Sequence, residues 1–88
     1  MLTGAQLRAA RALLGIDQKT LADRAGVSLP TIRRMEASPG TVRGVVDSLT
    51  KIVEALDRAG LELIGDGVPS NGGGRGVRLK HPAERSAE

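Results

Sequence analysis

Apolar residues over the first sixty positions recur at helical spacing. Leu7, Ala10 and Leu14 share one face of a segment that Thr3 can cap and that runs to about Leu14. Leu21, Ala22 and Ala25, in step with Gln18, mark a second helix, with Asp17 placed to cap it and Gly15 to make the corner before it. Gly26 follows where a left-handed residue would stop that helix, and Val27 can plug the turn. Ser28 then caps a third helix over 28–36, in which Pro30 is tolerated because first-turn N–H groups have no helical partner. Its spacing turns Ile32 and Met35 inward and leaves Leu29, Thr31, Arg33 and Arg34 outward. Residues 37–44, ASPGTVRG, read as a loop. A fourth and longest helix is expected from about Val45 to Ala59, with Leu49, Ile52, Val53 and Leu56 on its core face and Gly60 ending it.

After Gly60 the period changes from helical to alternating. Leu61–Ile64 and Val77–Lys80 read as two short strands, separated by the twelve residues GDGVPSNGGGRG. An isolated two-stranded hairpin is marginal in water. The expected remedy is pairing with the same segment of a second copy, which makes Leu61, Leu63, Ile64, Val77 and Leu79 the dimerisation residues of a two-fold dimer. The chain thus divides into a helical domain over 1–60, a strand-loop-strand segment over 61–80 and a disordered tail over 81–88. The expected fold class is mainly α: a compact four-helix bundle followed by a short C-terminal two-strand β segment used for dimerisation.

Composition narrows the function. Eighty-eight residues make one small domain. Cysteine is absent, which removes disulfides and thiolate metal sites and fits a cytoplasmic location. Phe, Tyr and Trp are also absent, so the common stacking platforms for single-stranded nucleic acid are missing. No apolar run is long enough to cross a membrane, and the N-terminus has no signal-peptide core. The net charge is +3. Its distribution says more: up to Val46 seven basic residues (Arg8, Arg11, Lys19, Arg24, Arg33, Arg34, Arg43) face three acidic ones (Asp17, Asp23, Glu36). The first half therefore suits a polyanion partner.

Catalytic chemistry finds no foothold. His81, the single histidine, lies in the tail, and no Ser is placed with a His and an acid. The Gly72-Gly73-Gly74 run lacks the Lys-Ser/Thr of a phosphate loop and opens no helix. The expectation is a non-enzyme with no cofactor and no metal.

The run DQKTLADRAGVSLPTIRRME, residues 17–36, resembles the helix-turn-helix of the Cro and phage-repressor (XRE-type) family of DNA-binding transcriptional regulators. Gln18, Leu21-Ala22, Ala25-Gly26-Val27-Ser28, Thr31-Ile32 and Glu36 carry the likeness, with Leu14-Gly15-Ile16 upstream, and it extends over roughly 5–60. The resemblance implies a lambda-repressor-like bundle whose third helix reads the major groove of double-stranded DNA, in a homodimer on an inverted repeat. Position by position it implies base contacts from Leu29, Pro30, Thr31 and Arg34. Phosphate contacts are implied for Gln18, Lys19, Ser28, Arg33, Thr41 and Arg43. It also implies an ion pair between Arg11 and Glu36. Leu29 and Pro30 depart from the polar residues common at the start of the reading helix, and they suit thymine methyls instead. Small regulators similar to this chain carry a C-terminal strand-loop-strand ending in a GVRL-like strand. The alternatives that share these features are the antitoxin and autoregulator of a toxin–antitoxin pair, and a protein-interaction module that does not use DNA.

Overall fold

The computed structural model describes residues 2–42, 44 and 46–81. Four helices follow one another: α1 Gly4–Leu14, α2 Gln18–Ala25, α3 Leu29–Glu36 and α4 Val46–Arg58. α2 packs against both α3 and α4, and α1 packs against α3. Between them lie Leu7, Leu21, Ile32, Met35, Ile52 and Leu56, all fully buried. Burying a side chain of that size stabilises by about 1.5–3 kcal/mol, so these six carry much of a small domain's stability.

The first three helices each begin on a short polar side chain. Asp17 accepts from Thr20 N at 2.7 Å and Ser28 from Thr31 N at 3.2 Å. Thr3 and Gln6 form a reciprocal capping box, with Gln6 N on Thr3 Oγ1 at 3.0 Å and Thr3 N on Gln6 Oε1 at 2.9 Å. Leu2, just before the cap, is buried in the same cluster as Leu7, four positions into the helix; this is the spacing of a hydrophobic staple. The Leu-Thr-x-x-Gln spacing of residues 2–6 is the sequence signal of this staple, and it adds Leu2 to the core. Val42 joins the core too; it is buried and donates its N–H to Leu2 O at 2.8 Å, beside an antiparallel bridge between Thr3 and Thr41.

Three of the four helices end in the same way. Beyond α2, Gly26 takes φ 73°, its N–H reaches Asp23 O at 3.3 Å, and Val27 N reaches Ala22 O at 3.0 Å. The same six-residue pattern closes α1, with Ile16 N on Arg11 O at 3.1 Å, and α4, with Leu61 N on Leu56 O at 3.0 Å. In each case the residue after the turn (Ile16, Val27, Leu61) folds back half-buried against the core.

α3 ends differently. Ala37 stays right-handed: Ala37 N reaches Arg33 O at 3.1 Å, Ser38 N reaches Met35 O at 3.2 Å, Ser38 Oγ donates to Arg34 O at 3.3 Å, and the Glu36 carbonyl is met from α1, by Arg8 Nη1. The first turn of α1 abuts this end. A Cβ on Gly4 would lie 2.7 Å from Ser38 O, 2.9 Å from Met35 O and 3.0 Å from Glu36 O. Only glycine lets the two backbones approach so closely.

The expected C-terminal strands do not form: among the described residues no strand is present, and 61–80 is irregular. The alternation of Leu61-Glu62-Leu63 has another cause. Leu61 and Leu63 pack against the core of their own chain, while Glu62 turns to the following loop. There its carboxylate accepts from Ser70 Oγ at 2.9 Å, Asn71 N at 2.8 Å and Gly72 N at 2.9 Å. Those bonds from Asn71, Ser70 and Gly72 hold its pKa below the usual carboxylate range. Ile64 is half-buried, and its carbonyl accepts from Gln6 Nε2 at 3.1 Å. Val77 and Leu79 stay 84% and 66% exposed, on either side of Arg78, which donates to Val68 O and Gly65 O. Val53, expected on the core face of α4, is 39% exposed beside Leu2, Leu49 and Leu63, where a groove of about 240 Å3 opens. Within the expected tail only His81 is described, and it is exposed; 82–88 lie outside the described residues.

Candidate nucleic-acid interface

The tight turn at Gly26 and Val27 sets α3 directly after α2, so the two helices share one outer surface. On α3, Pro30, Arg33 and Arg34 are exposed, Leu29 and Thr31 are half-buried, and Ile32 and Met35 are buried. Neither guanidinium has an acidic partner among the described residues. Arg34 lies over Gly44: a Cβ there would be 3.8 Å from Arg34 Nη2 and 3.3 Å from Met35 Cε. A planar fork with free donors on an exposed helix face is suited to guanine O6 and N7, or to phosphate.

At the start of α3 the Ser28 and Thr31 hydroxyls are 2.7 Å apart. With Ser28 Oγ also accepting from Thr31 N, the two hydroxyls satisfy each other in part, and one O–H and two lone pairs remain for outside groups. Pro30 and Leu29 make the beginning of the helix an apolar ledge.

The start of α2 presents a different chemistry. Asp17 caps it, and hydrogen bonding by Thr20 holds the Asp17 carboxyl below its ordinary range. Lys19 Nζ lies 3.1 Å from Asp23 Oδ2, one turn on, with both side chains well exposed. Such an exposed pair is weak and exchanges readily for a phosphate. Gln18 is half-buried and donates from Nε2 to Glu36 Oε1 at 3.0 Å.

Glu36 is the hub that joins three helices. It is 4% exposed, the one buried charge among the described residues. Arg11 Nε donates to its Oε2 at 2.5 Å and Arg11 Nη2 to its Oε1 at 2.9 Å, a bidentate pair between α1 and the end of α3. Arg11 Nη1 adds a bond to Ile16 O at 3.2 Å. Burial pushes the Glu36 carboxyl up, but the bonds from Arg11 and Gln18 and the nearby charges of Arg11 and Arg8 prevail and hold it below its ordinary range. The bond to Glu36 raises the Arg11 guanidinium in turn.

The structure thus brings Gln18, Lys19, Ser28, Leu29, Pro30, Thr31, Arg33 and Arg34 together on the α2–α3 pair. Arg11 and Glu36 lie behind them. Thr41 is exposed in the loop after α3, bridged to Thr3. Arg43 lies outside the described residues. Arg8 is exposed, as its helical spacing expects, and its guanidinium also meets the Glu36 carbonyl, a contact that helical periodicity alone could not reveal.

Two short helices set end to side by a left-handed glycine, the second with a basic outer face, define a helix-turn-helix module. A family model described as Helix-turn-helix matches residues 7–63. The chain belongs to the Cro/C1-type (XRE) helix-turn-helix family of DNA-binding transcription regulators. No curated protein matches the chain. Among the described residues no helix is long and apolar enough to cross a membrane.

Proposed function

We propose that the protein is a sequence-specific transcriptional regulator that binds double-stranded DNA as a homodimer on an inverted repeat. α3 enters the major groove of each half-site. Arg34 donates to a guanine edge, Thr31 meets a base edge or phosphate, and Leu29 and Pro30 rest on thymine methyls. Gln18, Lys19, Ser28, Arg33, Thr41 and Arg43 hold the phosphate backbone and set the register. The observation that carries this reading is the exposed Arg33–Arg34 face of α3, free of acidic partners among the described residues, next to the polar start of α2. Two copies on a two-fold axis would place their reading helices about 34 Å apart, one turn of the duplex.

Exposed Val77 and Leu79, together with the open groove at Leu2, Leu49, Val53 and Leu63, favour a protein partner as well. A second copy supplies one. The toxin of a toxin–antitoxin pair is the other reading, in which the chain represses its own promoter and holds its partner. Selection of bound fragments from a random duplex pool, at near-physiological salt, tests both the DNA and the dimer parts. An enriched inverted repeat is expected. A lone half-site would remove the dimer, and no enrichment with no salt-dependent retention would remove DNA binding. A small protein that co-purifies in fixed ratio would favour the toxin.

A further inference from the structure

Gln18 stands at the first position of α2 with its carboxamide on the Glu36 carboxylate. An ionised carboxylate only accepts hydrogen bonds, whereas a carboxamide has two donors at Nε2 and an acceptor at Oε1. The 3.0 Å contact to Glu36 Oε1 is therefore possible only with Nε2 on that side. The flip of this amide, usually ambiguous, is dictated by its partner. One Nε2 hydrogen is spent on Glu36, and among the described residues nothing takes the other. Glu36 cannot swing away, because Arg11 holds both of its oxygens and the side chain is 4% exposed.

We infer that Glu36, a residue out of reach of DNA, is a positioning residue for DNA binding: it locks the Gln18 carboxamide so that an N–H faces the phosphate backbone. This role rests on the docking of α2 and α3 proposed above. Released from Glu36, the amide turns freely and can present its oxygen to a phosphate, which repels it. Charge alone gives the opposite expectation. Replacing Glu36 by a neutral residue removes a negative charge from the neighbourhood of DNA, and general electrostatics then favours tighter binding.

The test is a double-mutant cycle. Wild type, Glu36→Gln, Gln18→Ala and the double variant are titrated, at several salt concentrations, against a duplex carrying the sequence that the wild type selects. Glu36→Gln is expected to weaken binding by roughly tenfold, the value of one hydrogen bond to a charged group. The slope of log affinity against log salt should stay unchanged, because a neutral donor displaces no counterion. In the Gln18→Ala background Glu36→Gln should add little. Equal or tighter binding by Glu36→Gln, or losses that add in full, overturns the inference. Two checks do not depend on that variant folding. In the free wild type, NMR should detect scalar coupling across the hydrogen bond from Gln18 Nε2 to the Glu36 carboxyl carbon; its absence overturns the proposal. Gln18→Asn keeps both donors but falls a methylene short of Glu36, and should bind as weakly as Gln18→Ala; wild-type affinity overturns the proposal. If the coupling is present but the wild type retains no duplex even at low salt, the docking reading fails, and this role with it.

Discussion

Arg11 clamps Glu36 with both arms of its guanidinium, Nε to Oε2 at 2.5 Å and Nη2 to Oε1 at 2.9 Å, across the contact between α1 and α3. Glu36 is buried and Arg11 half-buried, so removing one partner strands the other's charge. Arg11→Ala should destabilise the fold by roughly 3 kcal/mol. The pair as a whole is worth less than that, since two desolvated charges offset most of their attraction. Arg11→Met combined with Glu36→Leu should therefore cost less than Arg11→Met alone in urea unfolding. A double variant as unstable as the sum of the singles would contradict this.

Acid should loosen the same junction. The folded Glu36 carboxyl titrates below its ordinary range, so near pH 4 the unfolded chain binds more protons than the native one. The stability that Glu36 contributes is complete above the unfolded carboxylate pKa of about 4.3 and is lost as pH falls through the lower folded value. Asp17 and Glu62 are shifted in the same direction and add to the trend from the surface. Urea midpoints measured at pH 7 and pH 3 should differ less in Glu36→Gln than in the wild type. An equal difference in the two proteins would place the acid response elsewhere.

Gly4 offers a test in which two rules disagree. Inside a helix, alanine is favoured over glycine by roughly 0.5–1 kcal/mol. Here the added Cβ would meet three backbone carbonyl oxygens of the α3 end at 2.7–3.0 Å, and backbone cannot step aside as a flexible side chain does. Gly4→Ala should destabilise by about 1–3 kcal/mol, lowering Tm by several degrees. A rise in Tm would show that the two helix ends are farther apart than described.

Arg34 and Arg33 should separate in binding experiments. Arg34→Ala should relax preference at one base pair by roughly 1–3 kcal/mol and spare the others. Arg33→Ala should weaken all duplexes alike and lower the salt slope by about 0.9. Uniform weakening from both would mean that neither reads a base.

The proposed dimer can be tested through two exposed apolar residues of the C-terminal segment. Val77→Ser with Leu79→Ser should leave the fold of the single protomer intact, since neither side chain packs on its own core. Sedimentation should show a shift from dimer to monomer. A dimer that survives the change would place the interface on another surface, with the groove beside Val53 the next to probe.

The helical half was legible because its instructions are local. Asp17 and Ser28 as caps, Gly15, Gly26 and Gly60 as stops, and the inward spacing of Leu21, Ile32 and Met35 each act within a turn or two of chain. The approach of Arg11 to Glu36 came into view through family resemblance, because no local pattern spans the residues between them. The C-terminal segment misled for a physical reason. Alternation signals a half-buried extended chain without saying what buries it, and Leu61 and Leu63 meet that need on their own core. Glu62 then turns its carboxylate to loop N–H groups that no periodicity identifies as donors. Gln18 was legible as a polar group at a helix start, but its engagement with Glu36 depends on three helices converging.

α3 is the one member of the trio α1–α3 that ends on no left-handed glycine: Ser38 meets the Arg34 and Met35 carbonyls from within the chain, and the Glu36 carbonyl is met by Arg8 of α1. Its neighbours stop on a glycine that serves them even in isolation, whereas α3 ends against Arg8 and the first turn of α1. The last carbonyl of its boundary is therefore a tertiary fact. When the N-terminal turn frays, the end of α3 loses the support of Arg8 while the left-handed stops of α1 and α2 persist. A transient opening at the first turn of α1 thus blurs α3, the helix proposed to face DNA, first, and hydrogen exchange at Glu36 and Ala37 should keep pace with that at Gln6 and Leu7.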